Sequence, residues 1–151
     1  HTPFKDDEFS ALLMVRATHH FADLPAVIKE LHRILEPGGV AVIEVANKRT
    51  LPKMFRYWFK KSKVNPFDKK PSNLKNIDKD GFYNYHPAYV EDLFRKSGFE
   101  IDNILSVSNF RSQTMKKIFK TKALVALEKK LQKPLASLRF APSIYYRLIK
   151  K

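Results

Sequence analysis

Residues 9–47 read FSALLMVRATHHF, ADLPAVIKELHRIL, EPGG and VAVIEVAN, in that order. That is an apolar run, an amphipathic repeat, a glycine turn and a second apolar run. Residues 11–15 are too short for a good helix and suit a strand buried on both faces. Asp23 is placed to cap a following helix, with Pro25 tolerated in its first turn. Val27, Ile28, Leu31, Ile34 and Leu35 fall at helical spacing, while Lys29, Glu30, His32 and Arg33 lie mostly off that face. Pro37, Gly38 and Gly39 are expected to stop the helix and turn the chain. Residues 40–45 then form a second buried strand. Strand, helix, strand with short connections is a βαβ unit, so the two strands should be parallel.

Outward from this unit, the rest of the chain divides by charge. The 151 residues carry a net charge of +14 and no cysteine. Residues 1–47 net −3, residues 48–79 net +9, residues 80–110 net −3 and residues 111–151 net +11. The presumed core is mildly acidic, and two separate segments carry the positive field. The length suits one domain over residues 1–151. The absence of cysteine excludes disulfides, Cys-zinc sites and thiol catalysis, and it fits a cytoplasmic protein. No apolar run is long enough to span a membrane.

The first basic segment follows the second strand. Residues 51–61, LPKMFRYWFKK, read as a short helix crowded with aromatic and basic side chains. Pro66, Pro71 and the sequence up to Gly81 read as loop. Open α/β sheets bind ligands at the carboxyl ends of their strands. An insertion there, spanning about residues 48–85, is therefore expected to be a lid over an acceptor. Pro87 opens the next helix, with Val90, Leu93 and Phe94 facing inward and Gly98 as C-cap. Residues 99–107 read as a strand. Residues 112–131 read as one or two basic helices with Met115, Ile118, Phe119, Leu124, Leu127 and Leu131 inward. Pro134 and Pro142 punctuate the tail, and residues 143–149 form a final strand.

Residues 4–47 closely resemble the second half of class I S-adenosylmethionine-dependent methyltransferases acting on small molecules. The resemblance rests on Thr2-Pro3-Phe4, Asp6, Phe9-Ser10, His19-His20 and the run from Arg33 to Gly39. Ser10 stands where that family usually has Asp, and Glu36 where Lys is common. The resemblance implies an α/β, Rossmann-like sheet of which the last four strands are present, mostly parallel with an antiparallel final strand. It also implies that the glycine-rich cofactor loop and the acidic ribose-binding residue would lie before His1. None of the four glycines here forms a G-x-G pattern.

The same resemblance places S-adenosylmethionine along Arg16, Ala17, Thr18 and His20, with binding by this chain alone in doubt. It offers His19 as a base or acceptor-orienting group and Tyr83, Tyr85 and His86 as acceptor-pocket residues. Core packing is the alternative for each of those aromatics. No metal is expected, because adjacent histidines point apart and no third ligand has suitable spacing. Three functions stay open. One is methyl transfer to a small, lipophilic acceptor, with residues 55–61 resting on an anionic membrane surface. The second is methyl transfer to RNA tracked by the basic segments. The third is a non-catalytic interaction module that self-associates through the open edge of strand 11–15.

Overall fold

The computed structural model describes residues 2–73, 82–110 and 112–151. β1 (Phe9–Met14) leads through a 3-10 turn (Thr18–His20) to α1 (Leu24–Ile34) and β2 (Leu35–Ala46). The basic lid helix α2 (Leu51–Trp58) follows, then β3 (Ser72–Asn73) and β4 (Tyr83–Asn84). α3 (Pro87–Lys96), β5 (Phe99–Val107), α4 (Gln113–Ile118), α5 (Thr121–Ala136) and β6 (Ser143–Lys150) complete the chain. The main sheet has the order β1-β2-β6-β5. β1 and β2 are parallel, and β6 runs antiparallel between β2 and β5, which makes β5 parallel to the first two. β3 and β4 form a separate pair within the insertion.

The α1 start follows the sequence: Asp23 Oδ1 accepts the Ala26 N–H at 3.0 Å, with Pro25 in the first turn. The helix buries Leu24, Ile28 and Ile34, and Val90 and Phe94 of α3 join them over β2 and β6. Each such side chain, fully buried, contributes roughly 1.5–3 kcal/mol of apolar transfer. Arg33 holds Asp6, Glu30 and the Phe4 carbonyl, and so ties the segment before β1 onto α1.

Several expectations change. α1 ends at Ile34, before the Pro-Gly-Gly run, and residues 36–39 are absorbed into β2 as a bulge. Between Phe9↔Leu35 and Ala11↔Val40, β1 advances two residues while β2 advances five. Gly38, at φ +79°, makes that excursion possible. β1 is not buried on both faces: it is an edge strand, and Leu13 is 74% exposed. β2 alternates, with Ala41, Ile43 and Val45 buried and the residues between them less so. His32 is not on the solvent face; its ring packs edge-on against Phe99 and over Gly98. Of the inward face expected for residues 115–131, Leu124 is buried and Met115 and Leu131 are half-buried, while Ile118, Phe119 and Leu127 are exposed. Pro134 lies inside the last turn of α5 and does not end it. The β3–β4 pair falls inside the stretch read as loop; residues 74–81 of that stretch lie outside the described residues.

Candidate functional site

The parallel strands β1, β2 and β5 end on one side of the sheet, and a cavity of about 890 Å³ opens there. Its floor is made where Ala46 pairs with Ser143 and Ser143 with Val107. One wall is the turn after β1. Arg16 takes φ +56°, uncommon for a side chain other than Gly or Asn. That backbone lets the Arg16 N–H donate to Glu44 Oε2 at 2.8 Å. Thr18 is buried, and its hydroxyl donates to the Glu44 carbonyl at 2.9 Å. The end of β1 is thus clamped to β2 from both sides of Glu44.

Glu44 also faces Tyr145 of β6. Burial first, and then the Glu44 charge, push the Tyr145 phenol above its ordinary pKa. His19 stacks on Phe82, with centroids 4.3 Å apart and planes at 25°. His20 lies 4.1 Å away, ring to ring. Burial and then the neighbouring His20 hold the His19 imidazole below its usual pKa, so it is neutral at pH 7. A neutral imidazole at a cavity wall has one nitrogen free to accept a proton.

The opposite wall is the insertion. Asn47, just past β2, donates to the Arg49, Arg139 and Ala141 carbonyls and accepts the Arg49 N–H. Lys53 of α2 reaches back to the Asn47 carbonyl at 2.9 Å and Asn84 Oδ1 at 3.1 Å. Lys48 is 4% exposed and donates to the Asp68 and Lys70 carbonyls. The insertion is therefore pinned to the sheet by ammonium-to-carbonyl bonds. The outer side of α2 is apolar and open: Phe55, Trp58 (65% exposed) and Phe59 (69% exposed) face outward, and Trp58 stacks on Phe67. On the far rim, Glu128 of α5 accepts the Asn109 and Phe110 N–H groups and holds the second basic segment at the end of β5.

Of the residues singled out from sequence, Arg16, His19 and His20 line this cavity. Thr18 lies behind it as a clamp, and Ala17 precedes the 3-10 turn. The three acceptor candidates sit elsewhere. Tyr85 is core, with its hydroxyl donating to the Phe21 carbonyl at 2.6 Å. His86 caps α3 by accepting the Ala88 N–H on Nδ1. Tyr83 stacks on Tyr85. Their neighbours Phe82 and Asn84 line the cavity instead, because alternation along β4 exchanges the faces. Glu44, Lys53, Ser108 and Tyr145 were not singled out. Glu44 did leave a signal, as a lone acid inside an apolar strand.

The family model described as "Methyltransferase domain" matches residues 1–43. A demethylmenaquinone methyltransferase of Symbiobacterium thermophilum is 28% identical over 116 residues, covering 64% of this chain and 43% of that protein. The sterol 24-C-methyltransferase erg6 of Aspergillus fumigatus is 49% identical over 37 residues, 24% of this chain and 10% of that protein. The chain thus spans less than half the length of these relatives. Among solved structures, an S-adenosylmethionine-dependent methyltransferase of Mesorhizobium loti superposes with TM-score 0.61 at 14% identity, covering 99% of this chain and 65% of that one. A Thermotoga maritima methyltransferase gives the same TM-score at 18% identity, over 100% of this chain and 60% of that one. The chain carries the class I S-adenosylmethionine-dependent methyltransferase fold. In that methyltransferase fold the four strands, three of them parallel and the final β6 antiparallel, are those expected from sequence; their order across the sheet comes from the structure.

The residues present fit one end of the cofactor that this fold implies. The polar rim of Arg16, His19, His20 and Glu44 lies at the carboxyl end of β1 and β2. Gly38, Gly39 and Gly98 all lie near the opposite, amino ends of β2 and β5. They form no turn for the cofactor at the cavity.

Proposed function

We propose that this chain forms the acceptor side of an S-adenosylmethionine-dependent methyltransferase acting on a small, lipophilic molecule at an anionic membrane surface. One observation carries the reading: the large cavity at the strand ends is walled by a helix whose outer side is aromatic and whose flanks are basic. Arg16, Ala17, Thr18 and His20 are assigned to the cofactor side, with Thr18 acting through the backbone of Glu44. When bound, the cofactor supplies an activated methyl group on a positively charged sulfur. The chain's own residues then need to align the acceptor and exclude water. His19, neutral and stacked on Phe82, is placed to take the proton of a hydroxyl or activated carbon acceptor. The Glu44 carboxylate sits beside Tyr145 and favours positive charge in the cavity. Residues 48–85 serve as the lid.

The relatives named above act on a quinone precursor and a sterol, which supports the lipophilic class. No helix among the described residues is long and apolar enough to cross a membrane; the contact proposed is interfacial because it is made by the exposed Phe55, Trp58 and Phe59 beside basic side chains. The test is transfer of a labelled methyl group by the full-length protein to a demethylnaphthoquinol, a sterol and an RNA oligonucleotide. It is run with and without vesicles containing phosphatidylglycerol. Transfer to a lipophilic acceptor, stimulated by anionic vesicles and reduced at least fivefold by Trp58→Ser with Phe59→Ser, is expected. Transfer to RNA alone, or indifference to vesicles, defeats the reading.

A further inference from the structure

Beneath α2 lies a second, smaller cavity of about 200 Å³, walled on its polar side by Lys48, Lys53, Arg56, Ser62, Ser72 and Asn84 and on the other by Val64 and Pro66. It is below the roughly 300–1,000 Å³ of a site for a whole small ligand and suits one polar group. Three cations border it. Among the described residues none of them has a carboxylate within ion-pair distance. Lys48 is buried, and its two hydrogen bonds go to neutral carbonyls. Lys53 likewise donates only to neutral oxygens, and its ammonium is disfavoured by burial and then by Lys48. Asp68 offers Lys48 its backbone carbonyl, not its carboxylate, as hydrogen-bond acceptor. Buried charge without a direct ion pair is costly, the Asp68 carboxylate acts on Lys48 only without contact, and an anion in this cavity would relieve the cost.

We infer that this small cavity is a subsite for a phosphate group carried by the acceptor. The donor chemistry matches. Arg56 supplies a planar fork suited to two oxygens, the lysines supply point charges, and Ser62, Ser72 and Asn84 supply neutral polar groups. A phosphomonoester carries roughly −1.5 to −2 at pH 7, which three cations can balance and one carboxylate would not. Lys53 and Asn84 line both cavities and so form the wall between them. A molecule held by its phosphate under α2 would extend the rest of itself toward His19 and Glu44. This inference rests on the proposed function for the identity of the acceptor but not for the binding itself. The phosphate could belong to a soluble metabolite or to a lipid headgroup, and the chemistry recognised is the same.

The test is phosphorus-31 NMR titration of the chain with inorganic phosphate, at ionic strength held constant with chloride. Saturable binding is expected, weakened about tenfold by Arg56→Gln and unchanged by Lys122→Gln on the exposed face of α5. Arg56 is exposed and makes no hydrogen bond that the fold needs, so that variant should fold; circular dichroism checks it. Lys53→Met is a second variant with the same expected direction. Glycerol 3-phosphate and phosphatidylcholine vesicles with or without phosphatidic acid separate the sources. Tighter, Arg56-dependent binding of the soluble ester marks a metabolite. Arg56-dependent capture by phosphatidic acid marks a lipid. Binding that never saturates, or that falls equally in Arg56→Gln and Lys122→Gln, reports only the diffuse positive field and overturns the inference. Saturable, Arg56-dependent phosphate binding by this chain, with no methyl transfer by the full-length protein, overturns the proposed function and leaves the subsite standing.

Discussion

Replacing Asn47 with alanine should destabilise the protein by about 3 kcal/mol. Asn47 is 2% exposed and sits where β2, the insertion and the segment before β6 meet. Its Nδ2 reaches Arg49 O at 3.1 Å, Arg139 O at 2.8 Å and Ala141 O at 2.8 Å, while Oδ1 accepts the Arg49 N–H at 2.7 Å. An amide nitrogen has only two protons, so three acceptors share two. That leaves about three independent bonds, each worth roughly 1 kcal/mol net. Water entering from the adjoining cavity would reduce the loss toward about 2 kcal/mol, since a bridging water is nearly as good as a direct bond. For a chain of this size, about 3 kcal/mol corresponds to a midpoint lowered by very roughly 6–12 °C. Urea unfolding followed by circular dichroism measures the change, with an unaltered slope showing that the unfolded state is unaffected. A loss below about 1 kcal/mol would refute the reasoning, because the four contacts would then be geometric coincidence.

Further outcomes are expected. Gly98 has φ +90°, and a Cβ there would stand 2.5 Å from His32 Nε2. Gly98→Ala should therefore cost about 2–3 kcal/mol of strain and displacement in thermal unfolding. His32→Ala in the same chain should recover the steric part, and strict additivity of the two changes would show that the added methyl and the His32 imidazole never compete. Lys53 is held at about 8 against an ordinary 10.5, first by burial. The folded state thus disfavours its ammonium, so stability should rise as pH climbs from about 8 to 10.5, by up to about 3 kcal/mol. Lys53→Met should flatten that rise in urea unfolding across pH; an unchanged profile would assign it to other groups. Leu13, exposed on the edge strand, is expected to support self-association through β1. Sedimentation should show a concentration-dependent dimer that Leu13→Lys abolishes, and a monodisperse unmodified monomer contradicts this.

The βαβ unit was legible in residues 9–47 because every signal there is local. Asp23 caps its own helix, and the spacing of Ile28 and Ile34 sets one buried face. Gly98 follows Ser97, the C-cap of α3, again by a short-range rule. The strand at residues 99–107 was read with its true limits. The edge position of β1 was among the expectations that the resemblance raised, whereas residues 11–15 by themselves read as buried on both faces, since a strand's own residues do not say whether a neighbour exists. Ile118 and Leu127 also read as core, yet helical spacing cannot tell a face packed on a sheet from one left open.

The sequence by itself determined the fold class, the order of elements and the side of the sheet on which a ligand would sit. The order of the main elements and the parallel βαβ pair follow from periodicity, caps and the direction that a short crossover imposes; the Rossmann-like sheet with its antiparallel final strand is what the resemblance of residues 4–47 implied. Tertiary structure alone decided which side chains meet there. Glu44, Lys53, Asn84 and Tyr145 are up to 101 positions apart in the chain; β6, antiparallel beside β2, brings Tyr145 to Glu44, and the Lys53 bonds to Asn47 and Asn84 bring the insertion in. It also decided that Tyr83, Tyr85 and His86 serve packing while Phe82 and Asn84 face the cavity. A side chain's role depends on which face its strand turns to solvent, and pairing across the sheet settles that.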